Sequence, residues 1–171
     1  MFNKSIITII ILHGFIFGQN YSYFFNDGDF VECTVDMSEG AEELLEPTEG
    51  VTIEAWVKHS FSGSIENFTG IAHYLTLNGP TDESGFALMY YENAWRFVVS
   101  VTGDNDIFGS GLELWPGAEL EIDEWDHIAG TYDNTTGEAK IYLNGALQET
   151  HTTNGGDIDW EDIDVKLFIG R

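Results

Sequence analysis

Apolar and polar side chains alternate along much of this chain with a two-residue period, the pattern of half-buried strands. The clearest stretch is Val51-Thr52-Ile53-Glu54-Ala55-Trp56-Val57-Lys58. Val51, Ile53, Ala55 and Val57 share one face there, and Glu54 and Trp56 point to the other. Asp29 to Val35 alternates Phe30, Glu32 and Thr34 against Val31, Cys33 and Val35. Further strands are predicted over residues 21–25, 71–77, 86–91, 95–101, 112–115, 125–132, 139–143, 147–152 and 165–169. Turn residues separate them: Asn26-Asp27-Gly28, Asn78-Gly79-Pro80, Glu92-Asn93-Ala94, Pro116-Gly117 and Asn144-Gly145. Only residues 40–45 could make a helical turn. Many short strands with Gly, Asn and Pro between them predict an all-β chain, two antiparallel sheets packed face to face as a sandwich. Trp56, Trp95, Trp125, Phe97 and Tyr142 are expected in its core or between its sheets.

The N-terminus breaks this pattern. Lys4 is followed by an apolar run over residues 6–17, too short to span a bilayer, and then by polar sequence. Residues 1–18 read as a secretory signal cleaved near Gly18–Gln19, and residues 19–171 as one domain large enough for its own core. The chain would be secreted or displayed at the cell surface, with no membrane insertion once the signal is gone. Its formal net charge of −24 becomes −25 when Lys4 leaves with the signal. Such a charge repels nucleic acid and anionic membranes. The single cysteine, Cys33, excludes an internal disulfide and fits a small buried strand residue.

Three segments carry a family resemblance in their order. Residues 21–32 run from aromatics through Asn-Asp-Gly into a strand; VTIEAWVK follows at 51–58. Trp125-Asp126-His127-Ile128-Ala129-Gly130-Thr131 then opens a hairpin that reaches Asn144-Gly145, and Leu167-Phe168-Ile169-Gly170 lies beyond it. The set resembles laminin-G-like and pentraxin-like domains of the concanavalin A-like lectin/glucanase group. The resemblance implies a jelly roll that binds rather than catalyses, with a glycan or an extracellular protein as partner. It also implies membership of a longer multidomain protein. Such domains usually continue past the Phe-Ile-Gly strand through an acidic, glycine-rich loop into a closing strand. The expectation here is a domain lacking that strand, with an unpaired edge near residues 29–35.

Two kinds of chemistry are candidates. The resemblance implies a calcium half-site at Asp82 and Glu83, in the loop after Asn78-Gly79-Pro80, although a solvated acidic turn explains the same residues. Asp104 with Asp106 offers a second acidic loop. Asp157, Asp159, Glu161, Asp162 and Asp164 offer a third, equally well explained as a polar connection between strands. The competing function is glycoside hydrolysis of the laminarinase type, which uses Glu-x-Asp-x-x-Glu on one strand. A retaining mechanism needs its two carboxyl groups about 5–5.5 Å apart. Glu121, Asp123 and Asp126 imitate that pattern, with Asp126 one methylene short. No pair of histidines has zinc-like spacing, and His127 is expected to hydrogen-bond structurally. A non-catalytic binding module is the expectation, with a laminarinase-type hydrolase or a purely adhesive or structural domain as the alternatives.

Overall fold

The computed structural model describes residues 7–10, 29–33, 47–59, 69–77, 83–91, 94–102, 112–114, 123–160 and 167–170. These form eleven strands and, among the described residues, no helix. In chain order they are β1 (Ile7–Ile10), β2 (Val31–Cys33), β3 (Gly50–His59), β4 (Thr69–Leu77), β5 (Glu83–Tyr91) and β6 (Ala94–Val99). There follow β7 (Leu112–Leu114), β8 (Trp125–Asp133), β9 (Glu138–Leu143), β10 (Ala146–Thr152) and β11 (Leu167–Ile169). The strand expected at residues 21–25 and the helical turn at 40–45 lie outside the described residues, as do Asp82, Asp104, Asp106 and Glu121.

The strands make two antiparallel sheets, as their alternation predicts. One has five strands in the order β1-β3-β8-β9-β10, and the other six in the order β2-β11-β4-β5-β6-β7. The predicted face of β3 is the one that packs: Ala55 and Val57 are buried, whereas Glu54 and Trp56 are exposed. β3 and β8 stay in register from Gly50↔Asp133 to Lys58↔Trp125. The five-stranded sheet sends Ala55, Val57, Ile128, Tyr132, Ala139 and Ile141 into the core. Ile71, Leu88, Tyr90, Trp95 and Phe97 meet them from the other sheet, joined by Val101 just beyond β6. Each large side chain buried there contributes roughly 1.5–3 kcal/mol through the hydrophobic effect.

The sheets approach closely at Gly130, where a Cβ would lie 2.2 Å from Cδ2 of Phe97. The aromatic ring occupies the space any larger residue would need.

Residues 157–160 close one end of the sandwich. Thr102 N–H donates to the Asp157 carbonyl (3.0 Å), Gly85 N–H to the Asp159 carbonyl (2.9 Å), and Trp160 Nε1 to the Pro47 carbonyl (3.1 Å). The Trp160 ring packs on Tyr74 and Phe86.

Two features differ from expectation. Trp56 and Trp125 are not core residues: they are 43% and 40% exposed, because alternation places them on the outer side of the five-stranded sheet. Trp95 and Phe97 are fully buried as expected, and Tyr142 is half-buried on the same outer side as Trp56. The second feature is β1, which pairs antiparallel with β3 from within the segment read as a secretory signal. At the other expected edge, β2 ends the six-stranded sheet, paired to β11 alone among the described strands.

Candidate functional site on the outer face of the five-stranded sheet

Strand register assembles this site. Trp56 lies directly opposite His127, and Lys58 opposite Trp125. Partners across a strand pair share a face, as do residues two apart along one strand. Glu54, Trp56 and Lys58 of β3 therefore stand beside Trp125 and His127 of β8. Tyr142 of β9, opposite Ala129, continues the same surface.

The side chains within it touch. The Trp56 and His127 ring centroids are 5.2 Å apart, with the planes tilted by 47°. His127 Nε2 lies 3.4 Å from Oε2 of Glu54. His127 is also fixed through its backbone: its N–H donates to Oδ1 of Asn144 (2.9 Å), and its carbonyl accepts from the Asn144 N–H (2.7 Å). Asn144 can do this because it opens a tight turn with φ of 50°, followed by Gly145 at 78°. These left-handed values suit Asn-Gly in a two-residue hairpin. The turn at the end of β9 thus anchors the start of β8 and with it the imidazole. The result is an exposed aromatic platform with an acceptor (Glu54) and donors (His127, Lys58) at its margin. Such a surface can stack on the apolar face of a ring and hydrogen-bond its polar edge.

Of the residues proposed for hydrolysis, Asp123 and Asp126 lie among the described residues and Glu121 lies outside them. Asp126 is buried at 9% exposure, on the inward face of β8 with Ile128 and Gly130. Its Oδ1 accepts from Nδ2 of Asn144 (2.9 Å), so the carboxylate helps to hold the turn. Asp123 is exposed in the turn before β8, at a φ of 66°. The sequence pattern reads as one strand face, but the strand begins only at Trp125, and Asp123 and Asp126 fall on different structural settings.

The cation candidates are only partly among the described residues. Glu83 opens β5 opposite Leu77, and Asp82 lies outside the described residues. Asp157 Oδ1 accepts from Nδ2 of Asn134 (2.8 Å), and the backbone of Asp157 and Asp159 is tied to Gly85 of β5 and to Ser100 and Thr102 just after β6. The other members of this acidic cluster, Glu161, Asp162 and Asp164, lie outside the described residues. Among the described residues, no group of three or more His, Cys, Asp or Glu side chains is placed to hold a metal ion.

Sequence reasoning missed the exposure of Trp56, although the signal was present. Trp56 shares its strand face with Glu54, and a strand face carrying a carboxylate rarely turns into a core.

Residues 34–171 match the family described as the concanavalin A-like lectin/glucanases superfamily (Laminin_G_3). The chain belongs to this superfamily. Among solved structures of this fold, a leech intramolecular trans-sialidase complexed with 2,7-anhydro-Neu5Ac is similar at a TM-score of 0.50 and 21% identity. The likeness covers 81% of this chain and 20% of the leech chain, so the present chain spans about a fifth of that enzyme. It is a likeness of fold. The CBM40 of a Ruminococcus gnavus IT-sialidase, bound to α2,3-sialyllactose, matches at a TM-score of 0.49 and 18% identity, over 83% of this chain and 77% of that one. The binding domain of botulinum neurotoxin DC, in complex with rat synaptotagmin II, matches at 0.48 and 14%, over 98% and 38%. A comparison with curated proteins finds no match. In this concanavalin A-like sandwich, the family segments fall on β3, on β8 and β9 with their turn, and on β11.

Proposed function

We propose that this chain is a secreted, non-catalytic module of a longer extracellular protein, and that it binds a neutral glycan on the outer face of its five-stranded sheet. The observation that carries the reading is Trp56, 43% exposed and held at a fixed tilt against His127 beside the Glu54 carboxylate. An indole fixed in this way offers a stacking surface without the entropy cost of ordering a mobile side chain. Trp125 and Tyr142 extend the surface for further sugar units. The net charge of −24, with Glu54 in the middle of the face, works against sialylated or sulfated sugars.

The non-catalytic part of the reading rests on Asp126, which is inward-facing and bonded to Asn144. Calcium enters this reading only as an ion held by Asp82 and Glu83.

The test is a glycan array probed with the full-length secreted protein, with and without chelator, beside Trp56→Ala and Trp125→Ala variants. Binding to neutral glycans is expected, lost at least tenfold in Trp56→Ala and weakened in Trp125→Ala. Binding that survives both substitutions would move the site elsewhere. Absence of any glycan signal would leave an extracellular protein as the partner. Loss of binding in chelator would establish the calcium role, and equal binding would dismiss it. Release of reducing sugar from a bound glucan, abolished by Asp126→Asn, would overturn the non-catalytic reading.

A further inference from the structure

We propose that Asn144 is a self-modification site, kept inert by the folded turn and converted to aspartate or isoaspartate when that turn opens, and that the conversion unfastens the aromatic face. The chain has three Asn-Gly pairs, at 78–79, 144–145 and 154–155, of which the first lies outside the described residues. An asparagine before glycine is open to attack on its own side chain, because glycine has no Cβ to keep its nitrogen away. The Gly145 nitrogen bonds to Cγ of Asn144, and the Cγ–Nδ2 bond breaks. The side-chain nitrogen leaves as ammonia, carrying off the proton from the Gly145 nitrogen. Water then opens the five-membered imide at one of its two carbonyls. One route gives aspartate in the ordinary chain, the other isoaspartate, with the chain rerouted through the side chain. No oxidant or reductant takes part.

The fold holds this reaction back at Asn144. Both ends of its side-chain amide are tied: Oδ1 accepts from the His127 N–H (2.9 Å), and Nδ2 donates to Oδ1 of Asp126 (2.9 Å). Attack requires the side chain to swing toward Gly145, which breaks both bonds. Asn154 has the same kind of neighbour, but it is exposed.

The fold also makes the product costly. Asp126 is buried, and its second oxygen, Oδ2, has no hydrogen-bond partner among the described residues. In the aspartate product an oxygen replaces the Nδ2 donor that Asp126 now receives. Two carboxyl groups then face each other at hydrogen-bond distance, and both cannot stay ionised there without a large cost. Isoaspartate instead inserts an extra backbone atom into a two-residue turn and spoils its register. Either product loosens the hold on His127, and so on the Trp56 ring 5.2 Å away. The loss of binding that follows rests on the glycan reading; the chemistry at Asn144 does not.

To test it, the full-length protein is incubated at mildly alkaline pH, folded and in urea, and conversion of Asn144 and Asn154 is followed by peptide mass mapping. In the folded protein Asn144 is expected to react at least tenfold more slowly than Asn154, because it reacts only from opened states; in urea the two rates should converge. Equal rates in the folded protein, or the same gap in urea, would overturn the proposal. Asn144→Asp is expected to unfold at lower urea concentration than the parent. Adding Asp126→Asn should restore the midpoint, because amide and acid then face each other with their roles exchanged. A single variant as stable as the parent, or a double variant no better than the single one, would remove the charge conflict and the proposal with it. Glycan binding is expected to fall at least tenfold in Asn144→Asp and to return in the double variant. A parent that binds no glycan would defeat the glycan reading alone, and the mass and urea results would still decide this inference.

Discussion

The two sheets of this sandwich use the same kind of strand in different ways. In the five-stranded sheet burial alternates: along β8, Trp125 is exposed, Asp126 buried, His127 half-buried and Ile128 buried. In the middle of the six-stranded sheet it does not: β5 is buried at every position from Ser84 to Tyr90, and β4 from Gly70 to Tyr74, whereas Val31 of the edge strand β2 is 41% exposed. A sheet covered on both faces reads as a continuous apolar run, and one wetted on a single face reads as alternation. The polar side chains of the covered sheet are part of its packing. His73 stacks on Phe168 at 5.4 Å, and Phe30 meets the edge of the same ring at 5.6 Å. The proposed recognition surface accordingly lies on the alternating sheet, whose outer residues are free to vary in chemistry without disturbing the core.

The largest expected effect contrasts the same residue type on the two sheets. Trp95 is 0% exposed and meets Tyr90 edge-on at 4.9 Å. Trp95→Ala should cost about 3–5 kcal/mol, the loss typical of a large aromatic deleted from a core. Trp56→Ala removes a cross-strand contact with His127 and should cost no more than ~1 kcal/mol. Urea unfolding of both variants measures the gap. Equal costs would mean that Trp56 is a packing residue, and the division between the sheets would fail together with the glycan site.

The contact between the sheets supplies the next effect. Gly130→Ala places a methyl group within 2.2 Å of Phe97 Cδ2 and should destabilise by about 1–3 kcal/mol through overpacking. Phe97→Leu frees space at the same point. The double variant should therefore be more stable than the sum of the two single losses, a coupling that urea unfolding of all four proteins measures. Strict additivity would separate the residues and place the closest approach of the sheets elsewhere.

Much of the fold was legible because its cause is local. Alternation at Val51 to Lys58 and the Asn144-Gly145 turn fix a strand and a hairpin from neighbouring residues alone. The side to which Trp56 and Trp125 turn was harder, since a lone aromatic in a strand fits either face. Only the aliphatic row opposite them settles which face is inward. The role of Asp126 was not legible at all. Its partner Asn144 is distant in sequence, and the turn between β9 and β10 brings the two together. Likewise, nothing in the apolar run over residues 6–17 shows that part of it can pair with β3, because strand pairing at an edge is a property of the recipient as much as of the donor.

The smallest effect is one of pH and concerns the covered sheet. Burial raises the pKa of the Tyr90 phenol above its ordinary value of 10.0. The neutral phenol is therefore kept in the folded protein after the unfolded chain has begun to ionise. Above pH 10.0 the unfolded state binds fewer protons at this residue than the folded state, so stability falls as pH rises. Below that pH the contribution is fully present; it is lost progressively as pH climbs through the raised folded value. Tyr90→Phe has no proton to lose, so its stability should decline less steeply between about pH 9.5 and 11 than that of the parent. Other tyrosines and lysines titrate in the same range, so the informative quantity is the difference between the two urea-midpoint curves. A difference that widens with pH, at the parent's expense, would show that the phenol sits in the dry interior beside Trp95. Parallel curves would place its hydroxyl in water, and the inner face of the six-stranded sheet would then be wetter than the packing of Trp95 and Phe97 requires.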